Sequence, residues 1–216
     1  MKPDYNRAAV LAAETLVKYG IRTAPIDPLP ILKQLDNVIV ISFADLSEFS
    51  GVQRSELMPL FGKNQDAITS AHTEAGGRAY VVAYNSLLPF TMIQRALARE
   101  LGHIVLAHQE NSEENNREAM CFAYHFLCPR PLIHSISATN LRMTVDLLAN
   151  LTGTFDQALV EMRRIPGTNV HPGLNRFIRS QFMPFILNFF EYYRVVKPKD
   201  GSAMVDFGSY MDNYEE

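Results

Sequence analysis

The spacing of apolar residues predicts an amphipathic helix near the start of the chain. Within residues 5–19, apolar side chains recur every three or four positions, which places them on one face of a helix. Gly20 ends this pattern, as glycine commonly does after a last helical turn. A turn rich in proline at residues 24–30 then leads into a short predicted helix at 31–35.

Three segments in the first half of the chain predict a small sheet. Residues 38–43 and 79–85 are rich in β-branched and aromatic side chains, and they are the strongest strand predictions. Residues 67–72 are a further predicted strand. The glycine pair at 76–77 is predicted to form the turn between the last two strands.

The rest of the chain has helical periodicity. Thr91 and Gln94 match the capping box that opens a helix, and this central helix is predicted to run to about His108. A second helix is predicted at 113–128, where Pro129 ends it. Further predicted features are helices at 137–152, 155–164 and 172–196, a kink at Pro184, and a polar, acidic tail at 197–216. The expected class is an α+β fold with a helical C-terminal half.

Composition and charge exclude several classes of function. The chain has 216 residues, of which 47% are hydrophobic, which suits one large domain or one domain with an appendage. The net charge of −3, without any run of basic residues, gives no footprint for nucleic acid. No signal-type segment or apolar run of about 18 residues is found. Cys121 and Cys128 are too far apart on one helix for a disulfide, so a reduced, cytoplasmic protein is expected.

The central helix carries the candidate chemistry. Arg99, Glu100 and His103 fall within an arc of about 100° on a helix, so all three side chains can face one site. Zinc peptidases place the pattern His-Glu-x-x-His on a helix because histidines four residues apart share a face and hold the metal. Here Glu100 and His103 take the second and last positions of that pattern, but Arg99 takes the first.

The second helix supplies a further candidate. Phe122 and His125 each lie within about 40° of Glu118 around this helix, so Glu118 can face the central helix. His125 is interpreted as a buried histidine beside Phe122 rather than a metal ligand. His108 lies about 140° round the helix from His103, and a surface or capping position is predicted for it.

These two motifs resemble those of the ImmA/IrrE family of bacterial metallopeptidases. The chain has Ala-Arg-Glu-Leu-Gly-His at 98–103, then Glu-Ala-Met-Cys-Phe-Ala at 118–123 and Leu-Cys-Pro at 127–129, in the family's order. The resemblance covers about residues 5–165 and implies a zincin-like fold. It divides the chain into a metallopeptidase-like domain at 1–165 and a helical extension with an acidic tail at 166–216.

The resemblance also implies roles for individual residues. Glu100 matches the family's general base, His103 its second zinc ligand and Glu118 its third, with zinc as the cofactor. The first ligand does not carry over, because the Arg99 guanidinium is only a hydrogen-bond donor and stays protonated. The cleft is expected between the edge strand and the central helix, where a peptide can lie as an added strand.

Two hypotheses on function follow. In the first, Arg99 pairs with Glu118 or Glu100, the zinc site is degenerate, and the protein binds a regulatory protein without cutting it. In the alternative, the site still binds metal and the protein is an active zinc-dependent endopeptidase that cleaves a transcriptional repressor. The family implies a protein or peptide partner, such as a helix-turn-helix repressor of a mobile element, and no direct binding of nucleic acid or membrane.

Overall fold

The structure is a computed structural model that describes residues 2–53, 55–57, 66–74, 77–110, 112–137, 152–153 and 168–196. Its helices are α1 (Tyr5–Lys18), α2 (Leu29–Lys33), α3 (Phe43–Ser50), α4 (Phe90–Val105), α5 (Glu113–Leu127), α6 (Arg130–Ser137), α7 (Pro172–Gln181) and α8 (Met183–Val196). Its strands are β1 (Val38–Ser42), β2 (Ala67–Glu74) and β3 (Gly77–Tyr84). The predicted α+β class is confirmed.

The three strands form one sheet in the order β1-β3-β2. β1 runs parallel to β3 with Val40 opposite Val82, and β2 runs antiparallel to β3 with Thr69 opposite Val82. All three predicted strands are present, and their bounds differ from the prediction by two residues at most. β2 is therefore an edge of this sheet.

Helices α4 and α5 pack closely against each other. A Cβ atom on Gly102 of α4 would lie 3.0 Å from the Ala119 carbonyl oxygen and 3.1 Å from Cδ1 of Phe122, both on α5. Leu97 and Leu101 of α4 are buried in the same core as Phe122. A side chain at residue 102 would therefore require α5 to move by a few tenths of an ångström, so glycine permits the close approach of α4 and α5.

The predicted ends of α4 are wrong at both termini. The helix follows Pro89, which forms no side-chain cap, so Thr91 and Gln94 are not a capping box. Gln94 is instead fully buried, and its Nε2 donates a 3.0 Å hydrogen bond to the carbonyl oxygen of Ile26. At the other end α4 stops at Val105 rather than near residue 108. The periodicity located the helix, but tertiary contacts set its termini.

The C-terminal helices pack on the first helix. Ile178 and Phe182 are buried in the main core, and Gln181 donates a 2.9 Å hydrogen bond from Nε2 to the Leu16 carbonyl oxygen. The helix predicted at 172–196 is interrupted at Phe182, two residues before Pro184, which agrees with the predicted kink.

Several predictions concern parts of the chain that the structure does not describe. The predicted helices at 137–152 and 155–164 lie almost entirely outside the described residues. The boundary at residue 165 and the tail at 197–216 lie wholly outside them, and the turn at 76–77 lies partly outside. Within the described ranges, no helix is long and apolar enough to cross a bilayer. Cys121 and Cys128 are both buried, and their thiols are not joined in a disulfide.

Candidate functional site

A cleft of about 370 Å³ lies between the edge strand β2 and helix α4. This is the position expected for it from the sequence. β2 contributes small side chains around Thr69, α4 contributes Arg99, Glu100 and His103, and α5 contributes Asn116. Glu118 is not among the residues that line the cleft. The structure thus places two of the three predicted site residues on the cleft wall, with Arg99 beside them.

Arg99 pairs with its own neighbour in the chain. Its Nη2 and Nε donate hydrogen bonds of 2.6 and 2.8 Å to the same oxygen, Oε1 of Glu100. Nη2 also donates a 2.7 Å hydrogen bond to the carbonyl oxygen of Ala67, at the start of β2. Of the two partners predicted for Arg99, the structure shows Glu100. The guanidinium therefore ties the motif helix to the edge strand.

Glu100 is a buried carboxyl group that forms an ion pair with Arg99. Its side chain is only 4% exposed, while that of Arg99 is 26% exposed. Burial raises the pKa of Glu100, and the charge of Arg99 together with hydrogen bonding from Thr69 opposes this rise. Because one carboxylate oxygen already accepts two N–H groups from Arg99, this oxygen is not free to take a proton from a water molecule.

His103, His108 and Glu118 form a continuous hydrogen-bonded chain. Nδ1 of His103 lies 3.0 Å from Nδ1 of His108, and Nε2 of His108 lies 3.2 Å from Oε2 of Glu118. The other ring nitrogen of His103 faces Asn116 at 3.2 Å. Glu118, predicted to face the central helix, is therefore linked to His103 through His108.

The surface position predicted for His108 is wrong, because the chain turns back after α4. Ala107 has φ of 56°, and the backbone N–H of His108 donates a 3.0 Å hydrogen bond to the His103 carbonyl oxygen. This turn brings the His108 ring to within 5.0 Å of the His103 ring, centre to centre. The His108 side chain is left only 6% exposed. Alanine does not favour a left-handed conformation, so this turn could not be predicted from the residue type.

The positions of the protons on His103 and His108 can be assigned from the geometry of these hydrogen bonds. The pKa of His103 falls to about 4 because of burial and the nearby His108 and Arg99, and burial also lowers the pKa of His108. Both rings are therefore neutral near pH 7. A carboxylate only accepts, so Nε2 of His108 donates to Glu118 and its Nδ1 accepts from Nδ1 of His103. Nε2 of His103 is then unprotonated, whereas the structure places the Asn116 Oδ1 atom, an acceptor, 3.2 Å from it, so this assignment requires the Asn116 amide to be turned by 180°.

The residues in this arrangement do not fit a zinc site of the peptidase kind, which needs three protein ligands. Arg99 brings a positive charge and no lone pair to the first position. The Glu118 carboxylate is engaged at both oxygens, since Oε1 accepts a 2.7 Å hydrogen bond from the Asp4 backbone N–H. Among the residues that the structure describes, no three His, Cys, Asp or Glu side chains are grouped to hold a metal.

The edge strand, the motif helix α4 and the second motif helix α5 together define a zincin-like α+β domain of the metallopeptidase class. Residues 56–160 match the family model described as the IrrE N-terminal-like domain, a peptidase family. Residues 56–160 are thus similar to the ImmA/IrrE family of peptidases, and the resemblance drawn from the two motifs is confirmed over this range. No curated protein and no solved structure was found to match the chain.

Proposed function

We propose that this protein is a peptidase-derived binding protein, which holds a segment of a regulatory protein in the cleft without hydrolysing it. The observation that carries the proposal is the pairing of Arg99 with Glu100 at 2.6 Å. Arg99 stands at the position of the family's first metal ligand and brings a permanent positive charge there. Its guanidinium also binds Glu100, the residue that matches the family's general base. One side chain therefore acts against both parts of the hydrolytic machinery.

Electrostatics make this arrangement stable against metal. A divalent ion beside the Arg99 guanidinium would meet like charge in a partly buried place, where screening by water is weak. The ion would also have to draw Glu118 away from His108 and from the Asp4 N–H, which lie at 3.2 and 2.7 Å. Losing those two contacts costs free energy in addition to the repulsion, because the freed groups are partly buried.

The cleft keeps the features that bind an extended peptide. β2 is an edge of the sheet and lines the cleft, so its outer backbone groups can pair with an added strand. Main-chain hydrogen bonds of this kind give affinity without any catalytic group. A peptidase-like family implies a protein or peptide partner, and a repressor-type regulator is the proposed one on the strength of the family resemblance.

Zinc analysis of the purified full chain tests the proposal. We expect far less than one zinc per chain in the wild type after dialysis, and about one in Arg99→His, which supplies an imidazole four residues before His103. Arg95→His is the matched control. It makes the same exchange on the same helix, one turn earlier, and it should stay free of zinc.

The outcomes separate the two hypotheses. About one tightly held zinc per chain in the wild type would overturn the degenerate site and favour an active zinc-dependent endopeptidase. An Arg99→His variant that is folded by circular dichroism yet free of zinc would show that Arg99 is not at a ligand position. If a repressor gene lies beside the gene of this protein, its product is the partner to incubate with it, and we expect co-elution with the repressor intact.

A further inference from the structure

The pairing of β2 with β3 determines which backbone groups of β2 face outwards. The carbonyl oxygen of Asp66 accepts a 2.8 Å hydrogen bond from the Asn85 N–H, so these two residues form a hydrogen-bonded pair. Such pairs alternate along an antiparallel ladder, and the register continues without interruption from Ala67 to Glu74. The even-numbered residues of β2 therefore bond to β3, and the odd-numbered residues direct their N–H and C=O groups away from the sheet.

The Arg99–Glu100 pair occupies the start of this outer edge. Nη2 of Arg99 donates a 2.7 Å hydrogen bond to the Ala67 carbonyl oxygen, and the backbone N–H of Thr69 donates to the Glu100 carboxylate. Both backbone groups belong to odd-numbered residues, as the register requires. An added strand would offer one N–H and one C=O at the same two places. The ion pair thus takes the place of a strand backbone at the start of β2.

The rest of the outer edge is open. Ala67 is buried and Thr69 is half-buried, whereas Ala71 and Thr73 are exposed. Within the described part of the chain, no group bonds the C=O of Thr69 or the N–H and C=O of Ala71. Unpaired groups on a strand edge are those to which a further strand can bond. The edge available to a partner therefore runs from the C=O of Thr69 to Thr73.

Side chains at this open edge point alternately into the cleft. Val82, which lies opposite Thr69, is buried in the core that includes α4, so the odd-numbered residues of β2 point to that side of the sheet. Ala71 and the apolar side chain of Met120 line the cleft there. A partner residue opposite Ala71 would direct its side chain into the same space, because directly opposite residues share a face. Since Ala71 is small, a large apolar side chain fits beside it.

We propose that the Arg99–Glu100 pair limits the segment held in the cleft to about five extended residues. The segment pairs with β2 from Thr69 to Thr73 and places a large apolar side chain opposite Ala71. This inference rests on the proposed function, since it assigns the register of the bound segment. The ion pair acts as a positioning device, because it fixes the point at which the segment must leave the sheet. Residues beyond that point gain no backbone hydrogen bond with β2.

Amide hydrogen exchange of the free full chain, followed by NMR, tests the occupied edge without any peptide. The Thr69 N–H is bonded to Glu100, so it should exchange at least about tenfold more slowly than the Ala71 N–H. In Arg99→Ala/Glu100→Ala, both should exchange at similar rates. Arg95→Ala, one turn earlier on α4, is the matched control and should keep the N–H of Thr69 slow. Equal exchange of the two amides in the wild type would overturn the inference.

Calorimetric titration with three acetylated and amidated peptides tests the length limit. The short probe is phenylalanine with two threonines on each side, and each long probe carries four more threonines at one end. The wild type and Arg95→Ala should bind all three within about twofold, since the added residues meet no free edge group. Arg99→Ala/Glu100→Ala should bind one long probe about tenfold more tightly than the short one, because two backbone groups are freed.

A second variant covers a failure of the double variant to fold, which circular dichroism would reveal. Arg99→Met keeps the aliphatic part of the side chain and removes its donors, so it frees the C=O of Ala67 alone. It should bind one long probe about threefold more tightly than the short one. A short probe with alanine in place of phenylalanine should bind the wild type about tenfold more weakly.

The outcomes separate this inference from the proposed function. A long probe that binds the wild type about tenfold more tightly than the short one would overturn the length limit and leave a peptide-binding cleft. Equal binding of all probes by the wild type and by the folded edge variants would show that the ion pair sets no limit. Equal binding of the alanine and phenylalanine probes would overturn the large side chain opposite Ala71. No saturable binding to the wild type would overturn the proposed function together with the inference.

Discussion

The cleft and the basic cavity, a space of about 400 Å³ between α1, the end of α5, α6 and α7, are both lined by arginine and histidine, but those side chains have different contacts in the two places. In the cleft, Arg99 lies 2.6 Å from the Glu100 carboxylate, and His108 lies 3.2 Å from Glu118. In the cavity no acidic residue lines the described wall, and the buried Nε2 of His125 has no partner there. The cleft therefore holds acidic and basic side chains together, whereas the described part of the other wall contributes arginine and histidine only as its ionisable side chains.

The same comparison can be made between two single side chains, His103 in the cleft and His125 in the basic cavity. The pKa of His103 and that of His125 both fall to about 4, so both rings are neutral near pH 7. Both ring nitrogens of His103 have hydrogen-bond partners, in His108 and Asn116. Two histidines with similarly lowered pKa values therefore differ in their contacts, since His103 is in a satisfied network and His125 has an unsatisfied nitrogen.

The largest expected effect comes from breaking the helix contact on which the cleft is built. Gly102→Val would place a β-branched side chain where a Cβ already lies 3.0 Å from the Ala119 carbonyl oxygen. We expect a loss of about 3 kcal/mol in the free energy of unfolding, since overpacking of this kind forces the backbone to move. Urea unfolding measures it.

Thr91→Val is the control for this variant. It introduces the same side chain at an exposed position of the same helix and should change stability by no more than about 0.5 kcal/mol. If Gly102→Val is as stable as the wild type, the close approach of α4 and α5 is wrong. The position of α4 in the cleft would then have to be set by contacts other than those at Gly102.

The features of the fold and of the site that could be predicted from the sequence are those set within one short segment of the chain. Hydrophobic periodicity predicted the strands, α1 and α5, and the motifs predicted the family, because these signals lie within short segments. The position of His108 and the role of Gln94 were missed, since they depend on a left-handed alanine and on a carbonyl group 68 residues away. The basic cavity was missed for the same reason, because its wall joins residues from α1 to α7.

A second prediction uses pH to compare the two histidines. Their pKa is 6.5 in the unfolded chain and about 4 in the folded one, so the unfolded state binds more protons between these values. The free energy of unfolding should therefore be fully retained above about pH 6.5 and fall as the pH drops towards 4. Each histidine should contribute a loss of about 2 kcal/mol at pH 5. Urea unfolding at several pH values measures the slope.

His125→Gln and His103→Gln should each make this pH dependence shallower, because each removes one group that titrates differently in the two states. Thr91→Gln, an exposed change that removes no titratable group, is the control and should leave the slope unchanged. If the slope of His125→Gln equals that of the wild type, His125 is not held neutral by burial. The contrast between the two histidines would then be lost.

The smallest expected effect is a gain in stability at the turn that returns His108 to the cleft. Ala107 is exposed with φ of 56°, a conformation that costs an L-residue about 1 kcal/mol and costs glycine little. Ala107→Gly should therefore raise the free energy of unfolding by about 0.5 kcal/mol, after the greater backbone entropy of glycine in the unfolded chain is subtracted. Ala107→Val should lower it, because a β-branched side chain is least tolerant of this conformation. If both variants destabilise the protein equally, the left-handed turn does not form, and His108 cannot lie between His103 and Glu118.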